Sequence, residues 1–140
     1  MELRENELDV DTYLALRKSV GWKELSREQA QKALENSLYI LVAYEGEIPV
    51  GMGRIVGDGA VICYVQDLLI SPDYRRQGIG GRILEKLKQY VQVLRLPETE
   101  LMFGLMCAKG RETFYESHGF IARPTKELGP GMIQYLREEG

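Results

Sequence analysis

Apolar positions change period several times along this chain, and the changes mark out its elements. Residues 2–6 alternate and predict a short first strand. Val10, Tyr13, Leu14 and Leu16 then recur at helical spacing, with Asp9 and Asp11 placed to cap the helix. Ser26 followed by Gln29 is a capping-box pattern, and Ala30, Ala33 and Leu34 form the inner face of a second helix. Between the two helices, Val20, Gly21, Trp22, Lys23, Glu24 and Leu25 read as a loop carrying the single tryptophan.

From Leu38 the pattern becomes β-rich. Strands are predicted at 39–44, 48–56 and 60–70, joined by the turns Glu45-Gly46-Glu47 and Gly57-Asp58-Gly59, so that three consecutive strands form an antiparallel meander. Pro72 ends the third. Helical spacing returns at Ile79, Ile83, Leu84, Leu87, Val91 and Leu94, and Pro97 stops it after about residue 96. Beyond lie a strand at 100–106, a short helix at 111–118 closed by Gly119, and two short strands at 120–122 and 132–136 flanking a Gly129-Pro130-Gly131 turn. The pattern predicts an α/β chain of the α+β kind, a mixed sheet flanked by helices, with residues 1–140 as a single domain.

Composition narrows the function. A length of 140 residues with 44% hydrophobic content suits one full core and not two. A net charge of −3 gives no field to hold a polyanion, so nucleic acid is not an expected partner. Cys63 and Cys107 lie far apart within apolar runs, which indicates neither a metal site nor a disulfide framework. Without a signal-peptide core or an apolar run of membrane length, the expectation is a soluble, cytoplasmic protein with no membrane partner.

The candidate chemistry sits where the third meander strand meets the long helix, at Arg75-Arg76-Gln77-Gly78-Ile79-Gly80-Gly81. A pyrophosphate cradle needs converging backbone amides, residues small enough to admit the anion, and a helix whose positive end faces the charge. Gly78, Gly80 and Gly81 supply these, and Arg75 and Arg76 add positive charge, unless those two are simply a solvated pair. Two familiar phosphate loops fail on spacing. A P-loop needs Lys-Ser or Lys-Thr after its last glycine, where Arg82-Ile83 stands, and a dinucleotide fingerprint needs a glycine at Ile83.

Arg75-Arg76-Gln77-Gly78-Ile79-Gly80 resembles the acetyl-CoA signature of the GNAT superfamily of N-acetyltransferases. The preceding Asp67-Leu68-Leu69-Ile70-Ser71-Pro72-Asp73-Tyr74 is similar to that family's fourth strand and its β-bulge, and Phe114-Tyr115-Glu116-Ser117-His118-Gly119-Phe120 to its second cofactor motif. The resemblance implies splayed fourth and fifth strands and acetyl-CoA as acetyl donor, with no metal. Backbone of Leu68 and Ile70 would pair with the pantetheine arm, an amide of Leu69 or Ile70 would polarise the thioester, and the amides of Gln77, Gly78, Ile79, Gly80 and Gly81 would hold the pyrophosphate. Lys109, Gly110, Arg111 and Phe114 belong to the second motif's share of the cofactor site. Each of the first three reads equally as solvent loop, and Phe114 as packing against the sheet.

The same resemblance gives Tyr115 the role of general acid, against a plain reading as a packed aromatic. His118 reads as a helix-terminal side chain. Asp67, Glu24 and Tyr64 are the candidate bases, with Asp67 aimed into an acceptor cleft or merely edge-facing. Histone-modifying members carry a glutamate where Tyr64 stands, and many members carry an asparagine where Ala108 stands, so those two features do not transfer. Trp22 and Glu24 would roof an acceptor pocket, or Trp22 would plug the core. The function implied is transfer of acetyl to a primary amine of a small molecule by direct attack. Its alternatives are a protein or peptide amine as acceptor, or an acetyl-CoA sensor without catalysis. A homodimer paired through Met132 to Leu136 is also implied.

Overall fold

The computed structural model describes residues 1–138. Its elements run β1 (Glu2–Glu5), α1 (Val10–Ser19), α2 (Arg27–Glu35), β2 (Tyr39–Glu45), β3 (Ile48–Gly57), β4 (Ile62–Ile70), a 3-10 turn (Pro72–Tyr74), α3 (Ile79–Leu94), β5 (Met102–Leu105) and α4 (Glu112–Ser117). The chain divides into two compact units, Met1–Leu105 and Met106–Gly140.

In the first unit the helix starts expected from capping residues are present. Asp9 accepts a hydrogen bond from the Thr12 amide at 2.8 Å, and Ser26 from the Gln29 amide at 3.0 Å, each satisfying a donor that has no partner inside its helix. The sheet order is β1-β2-β3-β4-β5, antiparallel except for the parallel β4–β5 pair. This is the mixed sheet anticipated from the pattern.

Helices cover both faces. On one, Val10, Tyr13 and Leu16 of α1 and Ala30 and Leu34 of α2 bury with Ile40, Val42, Met52 and Leu69. On the other lie Ile83 and Leu87 of α3, both fully buried. Gly53 lets α3 approach: a Cβ there would sit 2.9 Å from Leu87 Cδ1 and 3.1 Å from Ile83 Cγ2. Each buried Leu or Ile contributes about 1.5–3 kcal/mol, so this face alone anchors α3.

Some boundaries differ from the pattern. β4 starts at Ile62, because Asp58 Oδ1 accepts from the amides of Ala60, Val61 and Ile62 and holds Ala60 and Val61 in the turn. α3 ends at Leu94, ahead of the residue that precedes Pro97. The strands predicted at 120–122 and 132–136 are absent, and the backbone there is irregular. Strands this short need a ladder partner and a buried face to offset their ordering entropy, whereas Met132 is 89% and Leu136 86% exposed. Among the described residues no helix is long and apolar enough to cross a membrane.

Candidate acetyl-donor site

The turn into α3 is built on two left-handed residues. Arg76 has φ 64° and Gly78, the residue before the helix, φ 79°. A chain that enters a helix this way turns successive amides toward one concave point, the geometry of an anion nest. No side chain caps the helix, and the first intrahelical donor is Arg82, whose N–H reaches Gly78 O at 3.2 Å. The amides of Ile79, Gly80 and Gly81 therefore precede the helical ladder. Arg75, Arg76, Gln77 and Gly78 are exposed, while the Ile79 side chain is buried and fixes the helix start to the core. Arg75 donates from Nε to the Ile70 carbonyl at 3.3 Å, which ties the loop back to β4. Exposed, uncapped and rich in small residues, this turn fits a diphosphate.

β4 leads into the loop through a bulge. Met52 pairs with Leu69 but Arg54 pairs with Gln66, so Asp67 and Leu68 together oppose Gly53, and Asp67 takes φ 57°. On its other edge β4 pairs with β5 only from Ile62↔Met102 to Val65↔Leu105. Beyond Val65 that edge has no strand partner among the described residues. The Ser71 amide bonds Val50 O at 2.8 Å, toward β3, and alternate residues direct their amides to opposite edges. The Leu69 amide thus faces β3, and the Ile70 amide faces the open edge.

Asp67 itself lies in the interior. Its side chain is 1% exposed, and four donors surround the carboxylate: Arg17 Nη1 to Oδ1 at 2.8 Å, Gln66 Nε2 to Oδ1 at 3.4 Å, Arg54 Nε to Oδ2 at 2.8 Å, and the Tyr13 hydroxyl to Oδ2. Every lone-pair position is engaged. The expectation that Asp67 serves as a base is therefore corrected, since a carboxylate so held has no vacancy for a substrate proton. Tyr13 is pushed above the ordinary phenol range by burial first, then by its hydrogen bond to Asp67 and that carboxylate's charge, so it stays the donor.

The α1–α2 loop joins the same cluster. Arg17 Nη2 donates to the Lys23 carbonyl at 3.0 Å, and its guanidinium carbon lies 5.3 Å from the Trp22 ring centroid. Trp22 is 38% exposed, so it does not plug the core, and Glu24 is exposed beside it. A groove of about 390 Å³ opens alongside α1, with Asp11, Ser19, Pro49 and Ser71 on its walls.

Within the second unit, Phe114 and Tyr115 are half-buried on α4, with ring centroids 5.0 Å apart and edge-on, and Tyr115 meets Phe120 at 5.8 Å. Burial raises the Tyr115 phenol, the Cys107 thiol adds to the rise, and Arg111 opposes it. Lys109 and Arg111 are exposed, and the Arg111 guanidinium stands 4.9 Å from the Phe114 ring. The His118 amide bonds the Tyr115 carbonyl at 3.0 Å, in keeping with a helix-terminal position.

Known proteins share this fold. A family model described as an acetyltransferase (GNAT) domain matches residues 36–122. The chain belongs to the GNAT acetyltransferase family. A GNAT-family acetyltransferase from Streptococcus pneumoniae superposes with a TM-score of 0.82 at 31% identity over 98% of both chains. Histone acetyltransferase TAP1 of Glycine max is 32% identical over 91% of this chain and 58% of its own length. GCN5-related N-acetyltransferase 1, chloroplastic, of Arabidopsis thaliana is 25% identical over 94% of this chain and 66% of its own. The chain thus spans roughly three fifths of the length of these two curated relatives.

In this GNAT chain the support of the candidate donor site is only half visible in the sequence. Tyr13, Arg17 and Arg54, which hold the Asp67 carboxylate at the β4 bulge, are not singled out by the sequence pattern as its partners. Arg54 carried a usable signal, a lone charge within the apolar run of β3, which cannot bury without a counterion. Tyr13 fitted the helical stripe and raised no question.

Proposed function

We propose that this GNAT chain is an acetyl-CoA-dependent N-acetyltransferase whose acceptor is a primary amine of a small molecule. The observation that carries the reading is the uncapped start of α3 at a left-handed Gly78, entered from a strand with one open edge. Amides of Gln77, Gly78, Ile79, Gly80 and Gly81 hold the pyrophosphate with Arg76 at its rim, and β4 offers ladder groups of Leu68 and Ile70 to the pantetheine arm. Acetyl-CoA, when bound, supplies an activated thioester. Of the two amides considered for polarising its carbonyl, Ile70 is preferred, because Leu69 is directed to β3.

Tyr115 holds the proton that returns to the departing thiolate. Its raised pKa keeps the phenol protonated at neutral pH, ready to give that proton as negative charge builds on sulfur. With Asp67 saturated, the amine loses its proton to water or to Glu24, which is exposed in the α1–α2 loop. Lys109 and Arg111 contribute positive charge to the cofactor, and self-association through the exposed Met132 and Leu136 completes the proposal.

A protein amine is the second reading, favoured by the 32% identity to a relative named as a histone acetyltransferase. Thermal shift with CoA and acetyl-CoA tests the donor, and thiol release with tyramine, spermidine and a histone H3 amino-terminal peptide tests the acceptor. Release with either small amine supports the favoured reading, and release with the peptide alone supports the second. Stabilisation by acetyl-CoA without release leaves a binding module, and no stabilisation removes the donor site.

A further inference from the structure

Arg17 does more than neutralise Asp67. A guanidinium that only balanced a carboxylate would present two N–H groups to it side by side, the strongest arrangement for that pair. Arg17 instead places Nη1 on Asp67 Oδ1 at 2.8 Å and Nη2 on the Lys23 carbonyl at 3.0 Å, and its Nε is buried with no hydrogen-bond partner among the described residues. Leaving a buried donor unpaired is unfavourable, so the geometry is that of a spanning contact. Asp67 does not need Arg17 alone, since Arg54 and Tyr13 already bind its other oxygen. What Arg17 uniquely reaches is the loop: the carbonyl of Lys23 and the face of Trp22, whose ring lies 5.3 Å from the guanidinium carbon.

The anchor is placed where its position matters. Asp67 is the left-handed residue of the β4 bulge, three positions before Ile70 on the edge left open beyond Val65. One guanidinium therefore fixes an exposed aromatic loop against the strand that carries the open edge.

We propose that Arg17 is a positioning residue for the acceptor, holding the Trp22 loop in register with the bulge of β4 through Asp67. This rests on the acetyltransferase reading above. Arg17 touches neither reacting group. It sets the distance between the exposed Trp22 loop and the strand that aligns the thioester, and a loop released from Arg17 would let an amine entering beside it arrive out of line.

Two variants and two readouts test it. Arg17→Met removes both contacts. Arg17→Lys keeps a cation for Asp67, but a single ammonium on a flexible stem does not reproduce the planar fork that spans to Lys23. Hydrogen exchange of the amides of residues 21–25 is measured in both variants without any substrate. Steady-state kinetics are run with whichever of tyramine, spermidine or histone H3 peptide the wild type turns over fastest.

Faster exchange in the loop is expected for both variants, together with an acceptor KM raised about tenfold and an acetyl-CoA KM within about twofold of wild type. Arg17→Lys should recover the melting temperature without recovering the acceptor KM, a split that a purely structural ion pair would not produce. If Arg17→Met fails to fold, Arg17→Lys decides alone. Unchanged loop exchange overturns the tether. An unchanged acceptor KM, or a parallel rise for both substrates, overturns the positioning role. Absence of thiol release by the wild type with every amine defeats the transferase reading and the acceptor role with it, while the exchange result still decides the tether.

Discussion

Arg54 and Asp67 meet across the bulge of the β3–β4 ladder, with Arg54 Nε 2.8 Å from Asp67 Oδ2 and both side chains withdrawn from solvent. The pair ties the irregular step of β4 to the regular strand beside it. Arg17 approaches the same carboxylate from α1, so one anion serves a buried cation and a half-buried one.

Asp67→Ala would leave the buried Arg54 and the half-buried Arg17 without a counterion. The expected loss is about 3–5 kcal/mol of stability, read from the midpoint of urea unfolding. Tyr13→Phe keeps the ring and both ion pairs and removes one charge-assisted hydrogen bond, so its loss should be smaller, about 1.5 kcal/mol. Equal losses would mean that the ion pairs do not dominate the cluster.

Gly78→Ala meets no steric obstacle, since a Cβ there has nothing within 4 Å, yet φ of 79° disfavours any L side chain. The expected strain is about 1–2 kcal/mol. Relief of that strain would rotate the amides of the turn, so the affinity for CoA measured by calorimetry should fall by about tenfold, in line with one to two kcal/mol. Unchanged affinity would place the diphosphate elsewhere.

Tyr115→Phe preserves the packing of the α4 aromatics and removes the phenolic proton. Turnover should fall by about a hundredfold while the dissociation constant of acetyl-CoA stays within about twofold. A fall in affinity matching the fall in turnover would reassign Tyr115 to binding.

Asp58 accepts from three consecutive amides, and these hold its carboxyl below the usual carboxylate range. A depressed folded-state pKa means that the carboxylate adds stability above its unfolded value and loses that contribution as pH falls through the lower, folded value. Asp58→Ala should therefore be less stable than wild type at pH 7, and the difference should shrink under acid. Melting curves from pH 7 down to about pH 2 test the sign. A gap that widens with acid would contradict it.

Local rules carried far in this chain. Ser26 and Asp9 announced their helices because a cap needs only a side-chain oxygen three residues before an amide, and the α3 stripe was legible because one helix face either is apolar or is not. The glycine loop was readable for the same reason, since φ above zero and a small residue are local demands. The strands at 120–122 and 132–136 were misread because a strand exists only with a partner, and no short window of sequence reports one.

The sequence by itself determined where helices begin, where the meander turns, and that a glycine turn opens α3. Tertiary structure alone decided what Asp67 is. Its neighbours Tyr13, Arg17 and Arg54 come from positions up to 54 residues away, and only their convergence turned a candidate base into a buried anchor. The physical reason is that a carboxylate's chemistry depends on which donors and how much water surround it, and both are properties of the packed chain.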